Sequence, residues 1–214
     1  MTGPLTLEAV GLSVGGRPLF APLSLTVAPG EVVTVMGPSG SGKSTLLSHL
    51  CGTLPPAFRA EGRVRLGERP LDGLPPERRR VGILFQDDLL FPHLSVGENL
   101  AFGLPAGLDR STRRRRVEAA LADARMEGFA ERDPATLSGG QRARIACLRT
   151  LMADPEALLL DEPFSKLDAE LRQRFRGFVF DHARDRTLPV LLVTHDPEDA
   201  AAAGGRIVRL NSPM

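Results

Sequence analysis

The run Gly37-Pro38-Ser39-Gly40-Ser41-Gly42-Lys43-Ser44 limits what this chain can fold into more than any other feature. Before it stands Val32-Val33-Thr34-Val35-Met36, a β-branched run that reads as a buried strand, and after it the stretch from Lys43 to Cys51 reads as a helix. A strand that passes through a glycine–serine loop into a helix leaves several backbone N–H groups aimed at one point. Glycines let those groups close around an anionic oxygen, and the helix N-terminus adds its positive dipole. A chain built this way needs a sheet behind the loop and helices beside it.

The spacing matches the P-loop pattern, with strand and helix in the required places. In that pattern Lys43 reaches the β- and γ-phosphates and Ser44 offers its hydroxyl to Mg²⁺, with Thr45 next in the helix. Leu5–Val10 and Leu23–Val27 alternate like half-buried strands, the latter followed by a Pro29-Gly30 turn. Val81–Phe85, Ala157–Leu160 and Val190–Val193 read as buried strands of a parallel sheet covered on both faces. The middle is mostly helical, with helices expected over Thr112–Met126 and Ser138–Met152. The expected fold is α/β: a P-loop core with a parallel sheet, an N-terminal antiparallel β part and an inserted helical lobe. One domain spans 1–214, with the core lobe at about 1–86 and 155–214 and the helical lobe at about 87–154.

At 214 residues a single domain buries enough surface to need no disulfide or metal staple. Lys plus Arg total 27 and Asp plus Glu 26, so the net charge of +1 argues against nucleic acid as a partner. Cys51 and Cys147 have no neighbours at metal-ligand spacing and read as packing residues. Met1–Val10 lacks the basic stretch and apolar core of a signal peptide, and no apolar run approaches the ~20 residues that span a bilayer. The expectation is a cytosolic chain whose link to a membrane goes through a partner.

Two further segments carry chemistry. Leu158-Leu159-Leu160-Asp161-Glu162 is an apolar strand ending in two carboxylates, of which Asp161 suits Mg²⁺ and Glu162 suits an attacking water. Leu137-Ser138-Gly139-Gly140-Gln141 reads first as a capping box, Ser138 capping a helix and Gln141 reaching back to it. The glycines at its first turn cost helix stability, and make sense where something approaches the backbone closely, such as an anion.

Taken in order, these segments resemble the ATPase subunits of ATP-binding-cassette (ABC) transporters. Ser138-Gly139-Gly140-Gln141 resembles the signature sequence, Gln86 the Q-loop, and Asp161-Glu162 the Walker B pair with its catalytic glutamate. Ser165-Lys166-Leu167-Asp168 resembles the D-loop, and His195 the switch histidine. The resemblance implies a head-to-tail homodimer with ATP between one subunit's P-loop and the other's Ser138–Gln141. It implies Glu162 as general base, His195 on the γ-phosphate, and Gln86 as sensor of Mg²⁺ and water.

Leu89-Leu90-Phe91-Pro92-His93-Leu94-Ser95-Val96 with Glu98-Asn99-Leu100 is similar to bacterial importer cassettes for thiamine, ferric iron, polyamine, sulfate or sugar. The resemblance then implies integral-membrane permease subunits docked on this region, a solute-binding protein, and a place at the inner face of the cell membrane. The alternatives are the engine of an exporter or lipid-extraction system, or a soluble non-transport ABC ATPase. The carboxy-terminal β-rich regulatory domain of some importer cassettes is expected to be absent.

Two positions depart from the family pattern. Val14 stands where an aromatic usually stacks on adenine, which predicts weaker nucleotide binding unless Phe20 substitutes. Lys166 stands where a small or neutral residue is usual and reads as a solvated lysine. Arg78-Arg79-Arg80 and Arg113-Arg114-Arg115-Arg116 read as solvated faces or contacts to acidic loops.

Overall fold

A computed structural model describes residues 3–210, and these divide into two compact units. The first comprises the described residues up to Ile83, Glu156–Glu162 and those from Phe180 onward; the second comprises Leu84–Pro155 and Pro163–Val179. The segment 163–179 therefore clusters with the helices, although its sequence position suggested the core lobe.

The first unit holds two sheets. In the antiparallel one, β1 (Leu5–Val14) is central, pairing with β2 (Arg17–Pro18), β3 (Leu23–Val27) and β5 (Phe58–Leu66), with β6 (Arg69–Pro70) beyond β5. The alternation along β3 is complete: Leu23, Leu25 and Val27 are buried and Ser24 and Thr26 exposed. A bulge interrupts β1, where the register with β5 shifts between Glu8 and Gly11. Gly62 sits opposite with φ 89°, and a Cβ there would lie 2.5 Å from the Ala9 carbonyl oxygen, so only glycine fits.

The second sheet has the order β10 (Arg206–Arg209), β4 (Val32–Met36), β9 (Val190–Thr194), β8 (Ala157–Asp161), β7 (Val81–Leu84). β10, β4, β9 and β8 run parallel. Every residue of β9 is buried, as a parallel strand covered on both faces must be. Helix α1 (Lys43–Cys51) buries Leu46, Leu47 and Leu50, one stripe at helical spacing. These leucines share a core with Leu5 and Leu7 of β1, Val33 and Val35 of β4, Leu159 of β8, and Leu191 and Val193 of β9. Each such side chain contributes roughly 1.5–3 kcal/mol on burial.

The far end of α1 is held by Arg79, the last residue of the one-turn helix α2 (Pro76–Arg79). Arg79 is buried, and its guanidinium donates to the carbonyls of His49 (2.7 Å), Leu50 (3.1 Å) and Leu74 (2.8 Å). Two of these carbonyls lie at the helix C-terminus, where a cation is favourable, and that of His49 also accepts from the Gly52 N–H at 3.1 Å. Gly52 closes the helix in the left-handed region (φ 84°), and a Cβ there would sit 2.6 Å from Arg79 Nε. Within the arginine run, Arg79 departs from the expected solvated face by being buried, while Arg78 is exposed and exposed Arg80 pairs with Glu156 at 2.8 Å.

The second unit is helical. α3 (Val96–Gly103) begins with a capping box between Ser95 and Glu98. α4 (Arg110–Asp123) starts two residues earlier than its sequence suggested, because Asp109 caps it. Arg113 does not stay at that unfavourable N-terminus; its side chain donates to the carbonyl of Ala101 in the last turn of α3. A short 3-10 turn (Pro134–Thr136) leads into α5 (Gly139–Met152). The core joins Val96 and Leu100 to Val117, Leu121, Ile145 and Leu148. α6 (Ala169–Asp185) lies in this unit as far as Val179, and α7 (Pro197–Ala203) belongs to the first unit. No helix among the described residues is long and apolar enough to cross a membrane.

Candidate functional site

β4, β9 and β8 lie side by side and parallel, with Met36 opposite Thr194 and Asp161 opposite Val193. Their carboxyl ends therefore open on one edge of the sheet, where open α/β sheets bind ligands. The glycine-rich loop leaves β4 at Gly37, His195 follows β9, and Glu162 follows β8.

The loop folds around its own lysine. Lys43 is only 5% exposed, and its ammonium donates to the carbonyls of Gly37 (2.9 Å) and Pro38 (3.0 Å). An ammonium has three N–H donors, so one is left to face an anion. Gly42 has φ 89°, and a Cβ on it would come within 3.0 Å of the Phe20 ring, so glycine is needed for conformation and space alike. Pro38, Ser39 and Gly40 are exposed at the loop tip, and Thr45 is half-buried in the first turn of α1. The Ser41 hydroxyl is buried without a hydrogen-bond partner, a polar atom awaiting a ligand.

Ser44 Oγ donates to Asp161 Oδ1 at 3.0 Å. Burial pushes the Asp161 carboxyl above its usual range; the Ser44 hydrogen bond opposes this, the neighbouring Glu162 adds to it, and Lys43 opposes it. A hydroxyl and a half-buried carboxylate side by side are hard oxygen donors, the set Mg²⁺ takes together with phosphate and water.

Glu162 stands in the left-handed region with φ 47°, uncommon for a residue with a side chain. Its N–H still donates to the Val193 carbonyl at 2.9 Å, so the ladder between β8 and β9 extends one residue past β8. Glu162 Oε1 lies 3.1 Å from His195 Nδ1. The turn carrying His195 is fixed from behind. The Thr194 hydroxyl accepts from the N–H of Asp196 (3.0 Å) and faces buried Asp199 (3.4 Å), while Asp196 caps α7 with Pro197 at its first position. Asp196-Pro197 is a readable cap signal, but the contact between Glu162 and His195 has no local one.

Val14 closes β1, 36% exposed, with Arg17 and Phe58 as its cross-strand partners. Phe20 is 1% exposed beneath Gly42 and offers no free face, so it does not stand in for an aromatic at Val14.

The other predicted residues lie in the second unit. Ser138 caps α5: its hydroxyl accepts from Gln141 N–H (3.3 Å) and its own N–H donates to Gln141 Oε1 (2.9 Å). The capping box is present, and it leaves the Ser138 O–H free to donate outward. Gly139 is exposed, and a Cβ there would meet only the Arg142 guanidinium, at an ordinary 3.9 Å. A Cβ on Gly140 would meet the Leu171 side chain at 2.4 Å. A close approach to the backbone is thus made at Gly140 by the Leu171 side chain. Gln86 is exposed in a bend after β7.

Comparison with known proteins bears on the same residues. A family model described as ABC transporter matches residues 20–165. An uncharacterised ABC transporter ATP-binding protein of Escherichia coli (strain K12), YnjD, is 50% identical over 92% of this chain and 91% of its own length. The Fe(3+) ions import ATP-binding protein FbpC of Streptomyces avermitilis is 43% identical over 95% of this chain. The spermidine/putrescine import ATP-binding protein PotA of Pseudomonas fluorescens (strain Pf0-1) is 41% identical over 99%. This chain spans 59% and 60% of those two importers' lengths. With the phosphate loop, the paired carboxylates and the capped glycine turn all in place, the chain belongs to the ABC transporter family, as one of its ATP-binding, ATP-hydrolysing subunits.

Proposed function

We propose that this ATPase drives a membrane importer of a small solute, working as a head-to-tail homodimer that closes over two ATP molecules. The observation that carries the reading is the meeting of Lys43, Asp161, Glu162 and His195 at three adjoining strand ends. The import reading draws on the names of FbpC and PotA, which cover nearly the whole of this chain.

In this mechanism the loop N–H groups and the spare Lys43 proton bind the β- and γ-phosphates. Ser44 and Asp161 would hold Mg²⁺, which would supply neutralisation of phosphate charge, and Gln86 would be the sensor of that metal and the attacking water. Glu162, oriented by His195 at Oε1, accepts the proton of the water that attacks the γ-phosphate. Ser138 and Gly139 of the second copy close the site, the Ser138 O–H donating to phosphate oxygens. Because a two-fold interface is self-complementary, each copy serves both sites. Most of the acceleration comes from positioning and charge stabilisation.

The exposed Leu89 and Phe102 of the second unit, with Phe91 packed on Phe102 (centroids 4.6 Å apart), suit an apolar element of a permease subunit. A solute-binding protein completes the importer on the opposite side of the membrane.

Two measurements test this. Lys43→Ala removes the buried ammonium and should weaken ATP binding about a hundredfold, near the upper value for a charged hydrogen bond; unchanged affinity by calorimetry refutes the phosphate assignment. The tagged chain should also co-purify with a polytopic permease from detergent-solubilised membranes. Recovery only from the soluble fraction, with ribosomes or nucleic acid, refutes the transport reading and leaves the ATPase intact.

A further inference from the structure

Lys166 is solvent-exposed, as its sequence suggested, and it also makes an ion pair with Asp87, the residue after Gln86. The next residue, Asp88, pairs with Arg142 in the first turns of α5 (3.2 Å), and Arg142 also donates to the Leu137 carbonyl (2.7 Å). Arg149, two turns further along α5, donates to the Leu89 carbonyl at 2.9 Å. Three consecutive residues after Gln86 are thus each held by a cation. Leu89 needs the hold, since its φ of 46° is strained for a leucine.

A third side closes the figure. Leu171 packs on Gly140, and Leu171 N–H donates to Asp168 Oδ1 at 2.9 Å, which fixes the start of α6 against the start of α5. The segments 87–89, 166–171 and 138–142 therefore form a triangle within the second unit. Its corners adjoin Gln86, Glu162 and the Ser138–Gln141 turn in sequence. Two corners are packed or half-buried. The Lys166–Asp87 corner is open to water, with side chains 55% and 67% exposed. Exposed pairs are weak and screened by salt, so this corner is the one that yields first.

We propose that Lys166 is a positioning residue, whose ion pair with Asp87 restrains the segment following Glu162 and holds back turnover when no partner drives the engine. It acts through Asp87 and touches no reacting group. The proposal rests on the ATPase reading, and turnover of the parent chain, abolished in Lys43→Ala, tests that reading separately.

The experiment measures steady-state ATP turnover of the purified chain in low salt (about 50 mM) and high salt (about 500 mM). The variants are Lys166→Ala, Asp87→Asn, their combination, and the exchanged pair Lys166→Asp with Asp87→Lys. Each single variant should raise kcat two- to fivefold in low salt with little change in KM. The combination should rise no further than either single, and the exchanged pair should return to the parent value. High salt should bring the parent up to the variants. Unchanged or lowered turnover in the singles, multiplying effects in the combination, or failure of the exchanged pair to restore the parent value overturns the proposal.

Discussion

His195 Nδ1 stands 3.1 Å from Glu162 Oε1, joining residues that follow two neighbouring parallel strands. With Glu162 ionised, the imidazole proton between them lies on Nδ1, which fixes the ring's orientation and leaves Nε2 for the ligand. Glu162→Gln should lower kcat by about 10²–10⁴, the usual range for losing a general base. His195→Ala should lower it by a comparable factor. If the two act as a unit, the double variant falls no further than the worse single, measured as ATP turnover. Full multiplication of the two effects would show that their contact carries no function.

Asp161 gives a pH test. Its folded pKa is raised by burial, so the folded chain holds a proton that the unfolded chain releases earlier. Stability tied to this group is present in acid and lost as pH rises from the ordinary carboxylate range through the raised value. Without Mg²⁺, Asp161→Asn should therefore have a higher Tm than the parent at neutral pH, with the difference vanishing at the acid end. Mg²⁺ with ATP should stabilise the parent and not the variant. Parallel Tm curves at all pH values would remove burial of this carboxylate as a cost.

Gly139 and Gly140 should respond in opposite ways. Gly140→Ala drives a methyl group into Leu171 and should cost about 1–3 kcal/mol by denaturant unfolding. Gly139→Ala meets no clash and should gain up to about 1 kcal/mol from helix propensity. If nucleotide on the second copy packs against Gly139, the same variant loses ATP turnover while growing more stable. A stabilised Gly139→Ala with full activity would place the partner's nucleotide elsewhere.

Val14→Tyr should tighten ATP binding. Val14 is exposed at the end of β1 and Phe20 has no free face, so no aromatic competes with the new ring from those positions. Stacking on a base contributes roughly 1–3 kcal/mol, or about 5- to 150-fold in Kd. An unchanged Kd for ATP would mean that the adenine does not reach this strand.

The sequence spelled out elements whose pattern is local. β4 and α1 announce themselves through the β-branched run and the loop between them, and α5 through its capping box. β5 could not be read this way: Arg59, Ala60, Glu61 and Gly62 are all exposed, so that part of the strand shows no alternation. β10 is an edge strand with Ile207 facing solvent, so its single apolar run predicts no buried face. At the site, residue types were legible and contacts were not. Pairing of His195 with Glu162 depends on strand order, and Lys166 finds Asp87 across 79 positions of sequence. Arg79 was misread because a charge run gives no sign of which member is buried.

Arg79 also changes what α1 can do. A nine-residue helix on its own is mostly unravelled in water. Here the tail is riveted by a guanidinium to its last carbonyls while the head carries the phosphate loop, so a push at the head cannot be absorbed by fraying at the tail. The helix acts as a fixed anvil, and each cycle of nucleotide binding and release must spend its motion elsewhere in the chain. Among the amides of α1, those of Leu50 and Cys51, which terminal helical residues normally surrender first to exchange, should be among the last to take up deuterium.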